Sequence, residues 1–188
     1  MRNAADIADF IAHNLRMMRC LAVLAAHGPA GAWIGAGFVR NAVWDHLSGQ
    51  DPEVRPPSDL DVVFHDPVNA TAEQDAAFEA VLRTAAPDMP WSVCNQARMY
   101  ERNGHRPYRD MADALAHWPE TATAIAARLG PKGVEILAPF GVDDILALIL
   151  RPTPAFRTSP EILLARLEAK GWRKRWPGLR LVGLNASP

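Results

Sequence analysis

Residues 58–65 read Ser-Asp-Leu-Asp-Val-Val-Phe-His. Successive side chains on a strand point to opposite faces. Leu60, Val62 and Phe64 therefore face a core, and Asp59, Asp61, Val63 and His65 face the other way. Aspartate is a poor strand former, so two on one face of a short strand ask for a purpose. Their Cα atoms are about 6–7 Å apart, close enough for their oxygens to converge on one hard cation. Mg²⁺ takes one or two carboxylates plus phosphate oxygens. Two such ions about 3.5–4 Å apart hold both the attacking and the leaving oxygen of an in-line displacement. Asp59 and Asp61 are thus the candidate metal ligands and catalytic acids, for Mg²⁺ or Mn²⁺. Ser58 and the prolines before it place the first aspartate at the strand's mouth. The competing reading is two solvated acids on a half-exposed strand.

The rest of the chain alternates helix and strand. Apolar residues at three- and four-residue spacing predict one helix over 4–27, ended by His27-Gly28-Pro29. Short strands are expected at 32–34, 59–65, 91–96 and 134–137, with helices at 38–47 and 71–86 between the first three. Residues 98–109 read as a polar loop. Asp110 caps a short helix to Trp118, and Pro119 opens another that ends at Gly130-Pro131. Residues 142–150 read as an apolar helix with Asp143 and Asp144 in its first turn, where the dipole favours them. Ser159-Pro160-Glu161 opens the last helix. This order predicts an α/β (α+β) architecture with a small mixed central sheet flanked by helices. The expected division is one α/β domain over 1–150, with a C-terminal helix and tail, 151–188, packed on it.

Composition narrows the class. The chain has 188 residues and a net charge of −1, so the whole-chain balance gives no electrostatic argument for nucleic acid. The charge is uneven: from Arg151 onward eight Lys/Arg outweigh two Glu. Trp172 and Trp176 interleave there with Arg173, Lys174 and Arg175, a pattern that also occurs on RNA-stacking surfaces. Cys20 and Cys94 fit neither a zinc spacing nor a disulfide framework, which suits a reducing, cytoplasmic setting. The longest stretch without Lys, Arg, Asp or Glu, Cys20 to Val39, is broken by His27-Gly28-Pro29-Ala30-Gly31, so a soluble protein with no membrane partner is expected. No histidine sits in an HExxH pattern, and His65 reads as a loop-edge residue.

A second motif precedes the aspartates. Trp33-Ile34-Gly35-Ala36-Gly37-Phe38-Val39-Arg40 is a strand, a glycine turn and a helix, an arrangement that presents backbone amides to phosphate. Gly35 and Gly37 permit close approach or unusual φ, and Arg40 offers a phosphate-binding fork. The dinucleotide fingerprint fails here, because Arg40 occupies its third glycine position. By itself the turn is equally well explained as a plain tight turn. Together, Gly35-Ala36-Gly37 and Ser58-Asp59-Leu60-Asp61 resemble the signature of the DNA polymerase β nucleotidyltransferase superfamily. More narrowly, the chain resembles a family of small bacterial nucleotidyltransferase-like proteins. Further matching stretches are Arg40-Asn41-Ala42-Val43-Trp44-Asp45-His46-Leu47, Asn95-Gln96-Ala97-Arg98-Met99, Trp118-Pro119-Glu120-Thr121-Ala122-Thr123 and Ala138-Pro139-Phe140-Gly141-Val142-Asp143-Asp144.

That resemblance implies the superfamily's fold, with the glycine turn on a nucleoside triphosphate and the Asp-x-Asp strand on the metals. Gly35, Gly37, Arg40 and Ser58 are the expected nucleotide contacts. The expected reaction moves a nucleoside monophosphate from the triphosphate to an unidentified acceptor, a small molecule being favoured over RNA, and releases pyrophosphate. Active members generally add a third carboxylate on the strand after the next helix. Here that strand carries Ser92 and Asn95, and no acid lies between Asp88 and Glu101. Glu135 is the candidate substitute. Asn95, Gln96 and Arg98 are candidates for an acceptor pocket. The missing acid also motivates the alternative, an inactive nucleotide-binding or protein-interaction module with the same fold.

Overall fold

The computed structural model of the chain describes residues 1–52 and 59–184. Within them, β1 (Trp33–Gly35), β2 (Leu60–Phe64), β3 (Trp91–Asn95), β4 (Ala126–Gly130) and β5 (Gly133–Leu137) form one sheet in the order β3-β2-β1-β4-β5. β2 and β3 run parallel; the other neighbours are antiparallel. The expected small mixed sheet is present. Leu60, Val62 and Phe64 enter the main core as the alternation predicts, none more than 2% exposed. Among the described residues no helix is long and apolar enough to cross a membrane.

Four helices supply that core from one side: α1 (Ala4–Ala12), α2 (Leu15–His27), α3 (Gly37–Leu47) and α4 (Ala72–Ala85). The first two replace the single helix expected over 4–27. Asn14 is the reason. Its backbone is extended and its side chain accepts from Met17 N at 2.9 Å, a local bond that suits asparagine better than a helix interior does.

The opposite face carries a smaller cluster of Trp33, Val63, Met111, Leu115 and Ala126. It is roofed by α6 (Met111–Ala116), which follows α5 (Met99–Asn103). Residues 98–109 are therefore not all loop: a 3₁₀ turn at Gln96–Arg98 leads into α5, which ends at Gly104 with φ +68°. The helix expected from Pro119 to Gly130 is replaced by turns and β4, while β5 covers the strand expected at 134–137. Ile125, Ala126 and Ala127 are at most 1% exposed, and periodicity cannot tell a fully buried short strand from a helix.

The helix expected over 142–150 stops early. α7 (Asp143–Leu146) gives way to Leu148 at φ +51° and to β6 (Ile149–Leu150), which pairs in parallel with β7 (Arg180–Leu181). Between them run α8 (Pro160–Ala169) and α9 (Trp172–Arg175). Leu163, Leu167, Trp172, Trp176 and Leu179 all join the main core.

Candidate functional site

The turn after β1 is built by its neighbours. A Cβ on Gly35 would lie 2.7 Å from Cη2 of Trp118, and one on Gly37 would lie 3.2 Å from Nδ2 of Asn41. Gly35 is thus needed for the indole stacked against it. The unusual φ falls on Ala36 instead, at +48° with ψ −115°. Ala36 N donates to Ile125 O at 2.9 Å, tying the turn to the start of β4. No side chain caps the N-terminus of α3. Its first amides and the positive end of its dipole are presented at the turn, an arrangement suited to an anion.

β2 brings an acid to that turn. Val63 lies opposite Trp33 and Val62 opposite Ile34, and the same register carries on to set Asp61 beside Gly35. On its other side Asp61 is in register with Ser92 of β3. α6 and Trp118 cover the Val63 end of this face, and Asp61 lines an open cleft of about 250 Å³ with Ala36, Ser92, Trp118, Thr123 and Arg166. Burial first, then the charge of Asp59, push the Asp61 pKa up; Lys170, Arg40 and Arg166 draw it back. Two carboxylates that repel one another beside a helix N-terminus are relieved by a cation.

A divalent ion fits this donor set. Among the described residues no group of three or more His, Cys, Asp or Glu is placed to hold a metal, but Mg²⁺ needs only one or two carboxylates when phosphate oxygens supply the rest.

Other expected residues fall elsewhere. Ser58 lies outside the described residues. Glu135 sits on β5, three strand spacings or about 14 Å from β2. Arg128 holds its carboxylate at 2.6–2.7 Å, so Glu135 does not substitute for the missing acid. Asn95 is fully buried: its Oδ1 accepts from Asp66 N and Ala97 N, and its Nδ2 donates to Asp66 O. It shapes a loop and is not among the residues that line the cleft. Arg98 pairs with the buried Asp75 and does not itself line the cleft, although its guanidinium lies 3.8 Å and 4.0 Å from the sulfurs of Met99 and Cys94, which do. Gln96 does line the cleft, with its amide engaged by Cys94 O and the Trp118 indole N–H. His65 meets the backbone carbonyl of Tyr108.

Arg40 lies buried beneath the turn rather than forking out from it. Its guanidinium donates to Thr123 Oγ1 at 2.9 Å and to Asn41 Oδ1, and stacks 4.3 Å from the Trp172 ring. Burial draws its pKa down to about 10. Its hydrogen-bonding partners are neutral, so it delivers positive charge under the turn. Trp172 and Trp176, 3% and 0% exposed, pack edge-on against Trp44. Neither is available to stack RNA bases. Asp144 does more than cap: it binds Arg151 and Thr121.

Arg166 is a cleft residue that no motif pointed to, while Trp118 and Thr123 lie in a stretch that matched the family without a role attached to either. Trp118-Pro119 reads as a helix junction in sequence. Arg166 sits in an ordinary amphipathic helix, where only its place on the edge of the Leu163–Leu167 stripe sets it apart.

Comparison with known proteins gives these parts a common setting. A family model described as nucleotidyltransferase matches residues 23–181. A solution structure described as revealing a CCA-adding enzyme head domain is 32% identical, with a TM-score of 0.83 and 96% of each chain covered. A CCA-adding enzyme in complex with CTP shares the fold at 15% identity and TM-score 0.57. The Thermotoga maritima CCA-adding enzyme in complex with tRNA does so at 16% identity and TM-score 0.57. This chain spans 43% and 42% of those two enzymes. No curated protein matches the sequence.

Proposed function

This chain belongs to the nucleotidyltransferase family and has its polymerase β-type fold, and we propose that it transfers a nucleoside monophosphate from a nucleoside triphosphate to an acceptor hydroxyl. The observation that carries this reading is the convergence of Asp61, the glycine turn and the uncapped α3 N-terminus on one open cleft. The turn amides, backed by the charge of Arg40, bind the triphosphate. Asp59 and Asp61 would hold a divalent ion, which supplies charge neutralisation at the reacting phosphate. The acceptor oxygen bonds to the α-phosphorus as the bond to the bridging oxygen breaks, the hydroxyl proton passes to solvent, and pyrophosphate leaves with that electron pair. Positioning and charge neutralisation carry most of such a transfer.

The β3 position in register with Asp61 bears the hydroxyl of Ser92 rather than a carboxylate. This favours a second reading, a protein that binds nucleotide without turning it over. Thermal shift with a nucleoside-triphosphate panel and Mg²⁺ or Mn²⁺ tests the shared premise. Ligand at 100 times its dissociation constant stabilises by about 2.7 kcal/mol, and the Asp59→Asn/Asp61→Asn variant should lose that shift. Absence of any shift in wild type would overturn both readings. Metal-dependent pyrophosphate release over many turnovers would leave only the enzyme.

A further inference from the structure

The cleft has two ends, and the chemistry gives them different tenants. β3 borders Asp61 on one side with Ser92 and Cys94; β1 borders it on the other with Ala36. Thr123, three residues before β4, and Arg166, bonded to Glu120 in the same segment, also line the cleft. An in-line displacement needs the attacking and leaving oxygens on opposite sides of the phosphorus. With the α-phosphate at Asp61 and the phosphate chain along the glycine turn, the leaving group runs toward Arg166 and the acceptor approaches from β3.

The Arg166 end is built for an anion. Glu120, whose side chain is fully buried, grips Arg166 through Nε at 2.6 Å and Nη2 at 3.4 Å. The Arg166 side chain is about one-third exposed, at 33%. With those two nitrogens held, Nη1 is the one left for a ligand. Lys170 follows one turn later as the C-cap of the same helix, and its charge, like that of Arg166, reaches Asp61. Arg40 adds buried charge from below, and its ring partner Trp172 lies 5.8 Å from the Arg166 guanidinium. Glu120 neutralises one of these cations and leaves the group positive.

Resting on the nucleotidyltransferase reading, we infer that α8 supplies the clamp for the departing pyrophosphate: Arg166 contacts the β- and γ-phosphates, Lys170 adds charge at the rim, and Glu120 is the positioning residue. The C-terminal segment is then part of the donor site, and the β3 end is left for the acceptor.

The test compares the affinities of ATP and CTP with those of AMP and CMP, all with Mg²⁺. Because Arg166→Gln leaves Glu120 unpaired in the core, the Arg166→Gln/Glu120→Gln pair serves as the folded control, beside the exposed Lys170→Gln. The double variant should lose triphosphate affinity about tenfold or more, the weight of a charged hydrogen bond, and keep monophosphate affinity within about twofold. Lys170→Gln should lose less, and its loss should vanish in high salt. Arg166→Lys should recover part of the loss. Equal losses for mono- and triphosphate, or none for either, would overturn the clamp while wild-type binding kept the function intact. No triphosphate binding in wild type would overturn the function and the clamp with it.

Discussion

Ala36 holds a backbone conformation that alanine rarely adopts, φ +48° with ψ −115°. A non-glycine residue in such a region costs on the order of 1–3 kcal/mol, and here its amide is pinned to Ile125 O. Ala36→Gly relieves that cost and restores some freedom to the unfolded chain, so the net gain should be about 1 kcal/mol. For a chain of this length that is about 2–4 °C in Tm; an unchanged or lower Tm would show that the turn is relaxed as it stands. Asp61 makes the opposite case, a charge kept at a cost. Burial and Asp59 raise its pKa. A carboxyl with a raised folded pKa binds its proton more tightly when folded, so its contribution is present at low pH and lost as pH rises through that value. At pH 7, with chelator present, Asp61→Asn should melt above wild type, and the gap should close by about pH 4 as wild type takes up its proton. With metal and triphosphate the order should invert. Equal melting at pH 7 would mean that burial and the charge of Asp59 do not disfavour the Asp61 carboxylate.

At the scale of elements, the sequence was most legible where one physical signal dominated. Alternation placed Leu60, Val62 and Phe64 in the core and Asp61 on the other face, and strand–helix alternation predicted the mixed sheet. It failed where competing signals carried equal weight. Asn14 divides a continuous apolar stripe because a side-chain cap is worth more there than an unbroken helix. Ile125-Ala126-Ala127 has no period, and only pairing with β1 and β5 makes it a strand. The glycine turn permits close approach or unusual φ, and at Gly35 the neighbour is Trp118, far away in sequence. Arg166 had no local signature, since its meaning comes from a bond to Glu120 across 46 residues. The same holds for Trp176, whose indole N–H donates to Asp45 Oδ1 at 2.8 Å while its ring meets Trp44 at 5.0 Å. Arg175 also pairs with Asp45. Trp176→Ala removes a fully buried ring and a partner of a buried carboxylate, so it should cost about 3–5 kcal/mol in urea unfolding. A cost below about 1 kcal/mol would detach α9 from the core described above.

For the whole molecule, the uneven charge along the chain gains a spatial meaning. The basic C-terminal segment folds back through β7 onto β6 and places Arg166 and Lys170 beside the acidic strand. Stability and function then depend on the same return of the chain, because Trp172 and Trp176 fix α9 against Trp44 while α8 walls the cleft. A segment held by one shared core melts with that core. Trp44, Trp172 and Trp176, three of the six tryptophans, meet at the join and contribute to the fluorescence, and far-UV circular dichroism reports all the helices and strands. Both signals should follow one transition with the same midpoint in urea, the behaviour of a single cooperative unit. If the tryptophan signal changed first, the C-terminal segment would be a separately docking element. Mg²⁺ with triphosphate should then pull its midpoint up toward that of the sheet, since a ligand gripped by both Asp61 and Arg166 binds only when the two are assembled.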